Sequence, residues 1–76
     1  MKITHTNGTV EHASSFAAAL ELLRTDYGDD VVCYDDEGSE VTGDEGMEHV
    51  TRALVWESEE DSRDDAGAKA VAKITR

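Results

Sequence analysis

The residues with the clearest capacity for chemistry are the carboxylates of YDDEGSEVTGDEG, the segment that spans residues 34–46. Clustered carboxylates bind Ca²⁺ and Mg²⁺, and the EF-hand loop requires Gly at its sixth position and Glu at its twelfth. Counted from Asp35, those positions hold Glu40 and Gly46. The segment does not fit an EF-hand, so we expect only adventitious cation binding here, no dedicated metal site and no cofactor.

Histidine and cysteine are the other candidate metal ligands. The chain contains His5, His12, His49 and a single cysteine, Cys33. No C-x₂-C or H-x₃-H spacing brings zinc ligands together. We therefore interpret His5 and His12 as half-buried sheet residues. Cys33 lies within the apolar run VVCY and is most simply a small core residue.

Catalysis finds little support in the sequence. Two carboxylates act as an acid–base pair only where a cleft separates their pKa values, and a chain of 76 residues has little room for such a cleft. There is no glycine-rich phosphate loop, and a net charge of −11 repels nucleotides. We expect a protein without enzymatic activity.

The distribution of charge is strongly polarised along the chain. Only two of the 18 acidic residues, Glu11 and Glu21, lie outside residues 26–65, whereas five of the seven Lys and Arg residues lie outside that range. The acids are interleaved with β-favouring runs such as VVCY and VTRALVW, which disordered acidic tails lack. The acids should therefore decorate a folded surface.

The elements that position these side chains begin with a hairpin. Asn7-Gly8 is a strong signal for a two-residue type I′ turn. This turn places four side chains on one face of the hairpin: Ile3, His5, Val10 and His12. The wetter face then receives Lys2, Thr4, Thr6, Thr9 and Glu11.

A helix follows, because Phe16, Leu20, Leu23 and Tyr27 recur at helical spacing. Ser14 or Ser15 supplies the N-cap, and Gly28 suits the left-handed position that ends a helix.

Residues 31–34 predict a strand, and Val41-Thr42 a short antiparallel return. Residues 49–57 predict another strand, with a helix over residues 47–54 as the competing interpretation. The last segment, from Ser58, has acids at its start and bases at its end, which favours a helix. Its thin apolar stripe would consist of Ala66, Ala70, Val71 and Ile74.

Together these elements predict one α+β domain over residues 1–76, with a small antiparallel sheet and two helices. A ferredoxin-like arrangement is one candidate, although the initial hairpin departs from its βαββαβ order. Six side chains are expected to meet in one core: Phe16, Leu20, Leu23, Val32, Leu54 and Trp56.

A folded acidic surface suggests a protein ligand for a basic groove. Duplex DNA presents one charge per about 1.7 Å of axis. Same-face residues of a strand lie about 6.7 Å apart and neighbouring strands about 4.8 Å apart, so acids on strands and loops approach that density. The general alternative is an acidic housekeeping or halophilic domain that binds a basic partner or simply stays soluble at high salt.

The acids concentrate in DDEGSEVTGDEG and ESEEDSRDD, within a small chain without proline. This layout resembles the DNA-mimic proteins of phages and mobile elements, and most of all the small acidic anti-CRISPR proteins. The likeness points to type I systems, with type I-C as one candidate, and covers size, charge layout and α/β pattern rather than a motif. It implies that the acidic face occupies the basic surface with which the surveillance complex recognises the protospacer-adjacent motif.

The side chains expected to contact that partner are Asp29, Asp30, Asp35, Asp36, Glu37, Glu40, Asp44, Glu45, Glu57, Glu59, Glu60 and Asp61. We expect the protein to act as a monomer in the cytoplasm of an infected or lysogenic host cell, and to bind neither nucleic acid nor membrane.

Overall fold

The computed structural model describes residues 1–48, 51–64 and 70–76. Within these ranges the chain forms one five-stranded antiparallel sheet and three helices, which confirms the predicted α+β class. The strands are β1 (Lys2–His5), β2 (Val10–His12), β3 (Val32–Tyr34), β4 (Arg52–Trp56) and β5 (Ala72–Thr75), and the helices are α1 (Phe16–Tyr27), α2 (Asp44–Met47) and α3 (Glu59–Asp64). The strand order is β2-β1-β5-β4-β3. This order of elements, ββαβαβαβ, is not the βαββαβ order of a ferredoxin-like fold.

The sheet has two unlike faces. The register places eight side chains on one of them, the covered face: Ile3, His5, Glu11, Cys33, Ala53, Val55, Ala72 and Ile74. Helix α1 connects the two edge strands, β2 and β3, and packs Phe16, Ala19, Leu20 and Leu23 into the same apolar cluster. Val41 and Met47 complete this core. The opposite side, the open face, carries Lys2, Thr4, Val32, Tyr34, Arg52, Leu54, Trp56, Lys73 and Thr75 together with Val10 and His12.

Helix α1 begins and ends as its sequence predicts. Ser15 is the N-cap, and its hydroxyl accepts a hydrogen bond from the Ala18 amide at 3.1 Å. Gly28 terminates the helix with a φ of 103°, a conformation that other residues rarely adopt. The predicted apolar stripe is also confirmed, since Phe16, Leu20 and Leu23 are buried and Tyr27 packs partly against the core.

The register of the first hairpin differs from the prediction by one residue. Ile3 lies opposite Glu11 and Thr4 opposite Val10, so the loop contains Thr6, Asn7 and Gly8. Gly8 has a φ of 92°, and the Asn7 side chain accepts the Thr9 amide at 2.9 Å; both features suit a three-residue loop.

A shift of one residue moves side chains to the opposite face. Glu11 therefore joins Ile3 and His5 on the covered face, whereas Val10 and His12 are exposed on the open one. The predicted placement of Val10 and His12 beside His5 is thus wrong.

The C-terminal segment also differs from the prediction. Helix α3 covers Glu59–Asp64 of the described residues, and β5 is a central strand between β1 and β4. Ala72 and Ile74 alternate with Lys73 and Thr75, and Ile74 is fully buried. Burial of Ile74 between two strands outweighs the helix preference of the Ala- and Lys-rich sequence. Ala66, part of the predicted helical stripe, lies outside the described residues, as do His49 and Val50.

The predicted strand over residues 49–57 is confirmed from Arg52 to Trp56, whereas the competing helix is replaced by the short α2. The predicted return at Val41-Thr42 appears as a single bridge between Tyr34 and Glu40. The predicted core divides between the two faces. Val32 and Leu54 are half-buried on the open face, where Trp56 is buried beside Tyr34 in an edge-to-face ring contact.

Candidate functional site

The predicted partner-binding acids lie at the two ends of strands β3 and β4, in turns and helices rather than on the strands themselves. Val32 pairs with Trp56 and Tyr34 with Leu54. β3 therefore ends and β4 begins at the same end of the sheet, and residues 35–48 lie there. We call this end the turn end. The opposite end, the hairpin end, contains residues 26–31 and 57–61 and the β1–β2 loop. A strand of the length of β4 separates the two ends by roughly 16 Å.

At the turn end, two of the predicted acids, Asp35 and Asp44, hold the local structure together. The Asp35 carboxylate accepts the backbone amides of Glu37 and Ser39, both at 2.9 Å, and so closes the turn that follows β3. Asp44 accepts the Phe16 amide at 2.6 Å and thereby fixes α2 against the start of α1. These carboxylates are engaged within the protein, which argues against a direct contact with a partner.

Asp36 forms an ion pair with Arg52 on the neighbouring strand, at 2.9 Å, and both side chains are about half exposed. Three further predicted acids at this end, Glu37, Glu40 and Glu45, behave differently. They are exposed, and their carboxylates form no hydrogen bond or ion pair with any described residue. They project from a frame that Asp35 and Asp44 hold in place, and they are the predicted residues best placed to meet a partner.

At the hairpin end, Asp29 and Asp30 lie in the exposed turn between α1 and β3, and Glu57 is exposed directly after β4. On α3, Glu59 pairs with Arg63 one turn later at 2.7 Å, Glu60 is exposed and Asp61 is half-buried. The predicted acids thus form two groups at opposite ends of the sheet rather than one continuous acidic surface.

Basic side chains gather on the open face. Lys2, Lys73 and Arg52 occupy three adjacent strands, β1, β5 and β4, and Lys73 lies opposite both Thr4 and Leu54. The positive ends of the sequence are therefore brought together in the middle of the sheet, between the two acidic ends. Sequence reasoning missed this arrangement because it placed residues 70–76 on a helix.

Beside the basic side chains, a groove of about 510 Å³ lies between β3, β4 and α3. Tyr34, Leu54 and Trp56 supply its apolar lining, and Asp35, Asp36, Glu59 and Arg63 are among its polar residues. The indole Nε1 of Trp56 is buried and has no hydrogen-bond partner among the described residues.

A second polar cluster lies at the hairpin end. The His5 imidazole is 6% exposed, and its Nδ1 lies 2.7 Å from the Tyr27 hydroxyl, whereas its Nε2 lies 2.9 Å from Glu11 Oε1. The Asp26 carboxylate completes a group of three potential ligands whose atoms lie within 4.8 Å of one another.

Burial raises the pKa of Tyr27, and the nearby carboxylates of Asp26, Glu11 and Glu57 raise it further. The cluster was missed because the two-residue turn placed Glu11 on the wrong face; a three-residue loop at Asn7-Gly8 would have predicted the contact between His5 and Glu11.

Cys33 lies in the core, as predicted. It is 1% exposed, and burial raises the pKa of its thiol to about 12, with a further contribution from Glu40. A thiol of this kind is a poor nucleophile and a poor metal ligand at neutral pH.

No family model matches the chain, and no significant match was found among curated proteins or solved structures. In the part of the chain that the structure describes, no helix is long and apolar enough to cross a membrane.

Proposed function

We propose that this protein is a DNA mimic, an acidic protein ligand that occupies the DNA-binding surface of a nucleic-acid-binding complex. The observation that carries the proposal is the set of exposed carboxylates at the turn end, Glu37, Glu40 and Glu45, without partners among the described residues. The backbone of this segment is fixed by hydrogen bonds that the Asp35 carboxylate accepts from the Glu37 and Ser39 amides and that the Asp44 carboxylate accepts from the Phe16 amide.

Rigidity favours such a ligand over a disordered acidic tail. A tail loses conformational entropy when it binds, whereas a folded frame has already lost it on folding. The two acidic ends lie roughly 16 Å apart, the length over which a duplex presents about nine charges. A groove of Lys and Arg side chains on a partner contacts the phosphates of DNA largely without regard to the base sequence. Carboxylates spread over a similar length can therefore take the place of phosphates in that groove.

The groove beside the acidic ends adds a second kind of contact. Its aromatic residues, Tyr34 and Trp56, adjoin Asp35, Asp36 and Glu59. Arginine side chains stack on aromatic rings and form paired hydrogen bonds with carboxylates. An arginine of the partner's basic surface would stack on the half-buried Tyr34 ring, and it would have to displace Arg52 from Asp36 or Arg63 from Glu59 to reach a groove carboxylate.

The choice of target rests on the resemblance to small acidic anti-CRISPR proteins. On this basis the partner is the basic surface of a type I surveillance complex that recognises the protospacer-adjacent motif, with type I-C as the first subtype to test. The protein would act as a monomer, without catalysis, in the cytoplasm of the infected or lysogenic host cell.

The second candidate is an acidic halophilic or housekeeping domain that binds a basic partner or stays soluble through its charge. The observation that favours it is the presence of an exposed acid away from both ends, Glu21 on α1. Melting curves at 0.1 M and 2 M NaCl separate the candidates, because a halophilic domain is expected to be largely unfolded at the lower salt concentration.

The function is tested by adding the purified protein to type I surveillance complexes before or after target DNA, and following DNA binding by gel shift. We expect inhibition when the protein is added first, and little when DNA is already bound. Inhibition should weaken steeply as ionic strength rises, since contacts between dense opposite charges are screened. A micromolar excess that inhibits no subtype would overturn the proposal.

The structure selects the variants for this test. Glu37→Lys and Glu40→Lys should each weaken inhibition about tenfold, equivalent to 1.4 kcal/mol, and leave the melting temperature nearly unchanged. Glu21→Lys on α1 changes the net charge equally and is the matched control. Asp35 and Asp44 are unsuitable, because their reversal would disturb the turn and the start of α1. Equal effects of Glu37→Lys and Glu21→Lys would show that overall charge, rather than this surface, matters.

A further inference from the structure

We propose that His5, Glu11 and Asp26 form a binding site for a divalent first-row transition cation, and that Zn²⁺ fits it best. The ligands would be one ring nitrogen of His5 and one carboxylate oxygen each from Glu11 and Asp26, three atoms that lie within 4.8 Å of one another. We assign Nε2 as the ring nitrogen, because it faces Glu11 Oε1 at 2.9 Å. Such a site uses none of the side chains predicted to contact the partner, although Asp29, Asp30 and Glu57 lie at the same end of the sheet.

The three ligands come from three different elements. His5 ends β1, Glu11 lies on β2, and Asp26 lies in the last turn of α1. The His5 ring is 6% exposed and so has little freedom, whereas Asp26 is exposed and can rotate towards it. Around tetrahedral zinc, ligand atoms are separated by about 3.4 Å, since metal–ligand bonds are about 2.1 Å long. A rotation of Asp26 would close the longest separation to that value.

The environment of the imidazole matches that of metal-bound histidines, which donate their second ring N–H to an oxygen atom. Without metal, His5 Nε2 lies at hydrogen-bond distance from the Glu11 carboxylate and Nδ1 from the Tyr27 hydroxyl. A ring with its single proton on Nε2 would donate to Glu11, and the Tyr27 hydroxyl would then donate to Nδ1. Zinc needs the lone pair of Nε2. The single ring proton then resides on Nδ1 and is donated to the Tyr27 oxygen, so that Tyr27 changes from donor to acceptor.

The charges of the cluster suit a divalent cation, and its nitrogen ligand favours a transition metal over Ca²⁺ or Mg²⁺. Two carboxylates neutralise a dication, and Glu57 adds negative potential near Tyr27. A nitrogen ligand is a poor choice for the hard cations, which prefer oxygen, whereas imidazole suits zinc. The small cleft around the cluster, lined also by Asn7 and Thr9, has a volume of about 250 Å³ and leaves room for water at the fourth position.

A cation here would join the hairpin to the end of α1. Any ligand that binds only the folded state raises its stability with concentration. For a domain of this size, Zn²⁺ at 100 times its dissociation constant should raise the melting temperature by roughly 10–20 °C. Zinc titration of the whole protein, followed by calorimetry and thermal melting, measures this effect.

Asp26→Asn is the decisive variant, because it removes one ligand and leaves the contacts of His5 to Glu11 and Tyr27 intact. We expect zinc affinity to fall at least tenfold. Glu21→Gln on the same helix is the matched control and should leave affinity unchanged, as should the double substitution His12→Gln and His49→Gln. Mg²⁺ at equal concentration should leave the melting temperature nearly unchanged, which separates a defined site from adventitious binding to surface acids.

A spectroscopic measurement tests the coordination directly. Nitrogen-15 spectra of the imidazoles should show His5 with its proton on Nε2 before zinc is added, and on Nδ1 afterwards. An absent shift in melting temperature at tenfold excess of zinc overturns the proposal. So does an Asp26→Asn variant that binds zinc like the wild type, or zinc bound through His12 alone.

Discussion

The two faces of the sheet are made from the same strands, but one face carries the buried core and the other carries charged side chains. On the covered face, Ile3, Val55 and Ile74 are fully buried against α1. On the open face the same strands carry Lys2, Arg52 and Lys73, and only Trp56 is buried as deeply. Stability therefore depends mainly on one side of the sheet. Charge is carried by the open face and by the turns at both ends, where, apart from Asp35 and Asp44, it can vary with little consequence for the fold.

The strongest test of this difference removes one leucine from each side of the sheet. Leu23→Ala in the core beneath α1 should lower the free energy of unfolding by roughly 2–5 kcal/mol, because it leaves a cavity. Leu54→Ala on the half-buried open face should cost about 1 kcal/mol. Urea denaturation of both variants gives the comparison. Equal costs would mean that the open face contains a second core of the same importance.

An intermediate effect is expected from the buried thiol of the covered face. Burial raises the pKa of Cys33 to about 12 in the folded protein, from an ordinary value of 9.0. Its contribution to stability is therefore fully present below pH 9 and is lost as pH rises towards 12, by up to roughly 1.4 kcal/mol per pH unit.

The loss should be shallower in Cys33→Ala, measured by urea denaturation between pH 8 and pH 11. Tyr27, whose pKa is also raised, titrates in both proteins and cancels in the difference. As a second readout, a thiol reagent at pH 8 should modify Cys33 only after unfolding. Rapid modification of the native protein would contradict the burial of this residue.

The smallest effect is expected on the open face, at the exposed ion pair between Asp36 and Arg52. Its coupling energy in a double-mutant cycle with Asp36→Asn and Arg52→Gln should lie between about 0 and 1 kcal/mol. It should decrease further in 1 M NaCl, where screening is strong. A coupling above about 2 kcal/mol would assign the open face a structural role that its exposure does not suggest.

Local signals predicted the fold well where they acted alone. The spacing of Phe16, Leu20 and Leu23 and the positions of Ser15 and Gly28 defined α1 before any tertiary contact was known. They failed at β5, where Lys73 and the surrounding alanines favour a helix and only the strands beside Ile74 decide otherwise. A single sequence contains no direct record of such distant contacts, so the missed strand is the expected kind of error.

The sequence predicted which residues of the candidate sites are acidic and exposed, but not which of them hold the backbone and which face solvent. Composition indicated that residues 34–46 are acidic and exposed, and most of them are. It did not separate Asp35 and Asp44, which hold the backbone, from Glu37 and Glu40, which are free to meet a partner. Prediction of the cluster around His5 depended on the register of the first hairpin. A shift of one residue determines whether Glu11 lies on the same face of the sheet as the imidazole or on the opposite face.

The position of β5 has a consequence for the order of events during folding. β1 and β5 are neighbours in the sheet, with Lys2 opposite Thr75, although almost the whole chain separates them in sequence. Contacts over such distances close large loops, which slows folding. During synthesis β1 and β2 emerge early, but β4 and β1 stay unjoined until β5 has left the ribosome. The sheet is thus completed from its centre, by the last of its five strands along the chain.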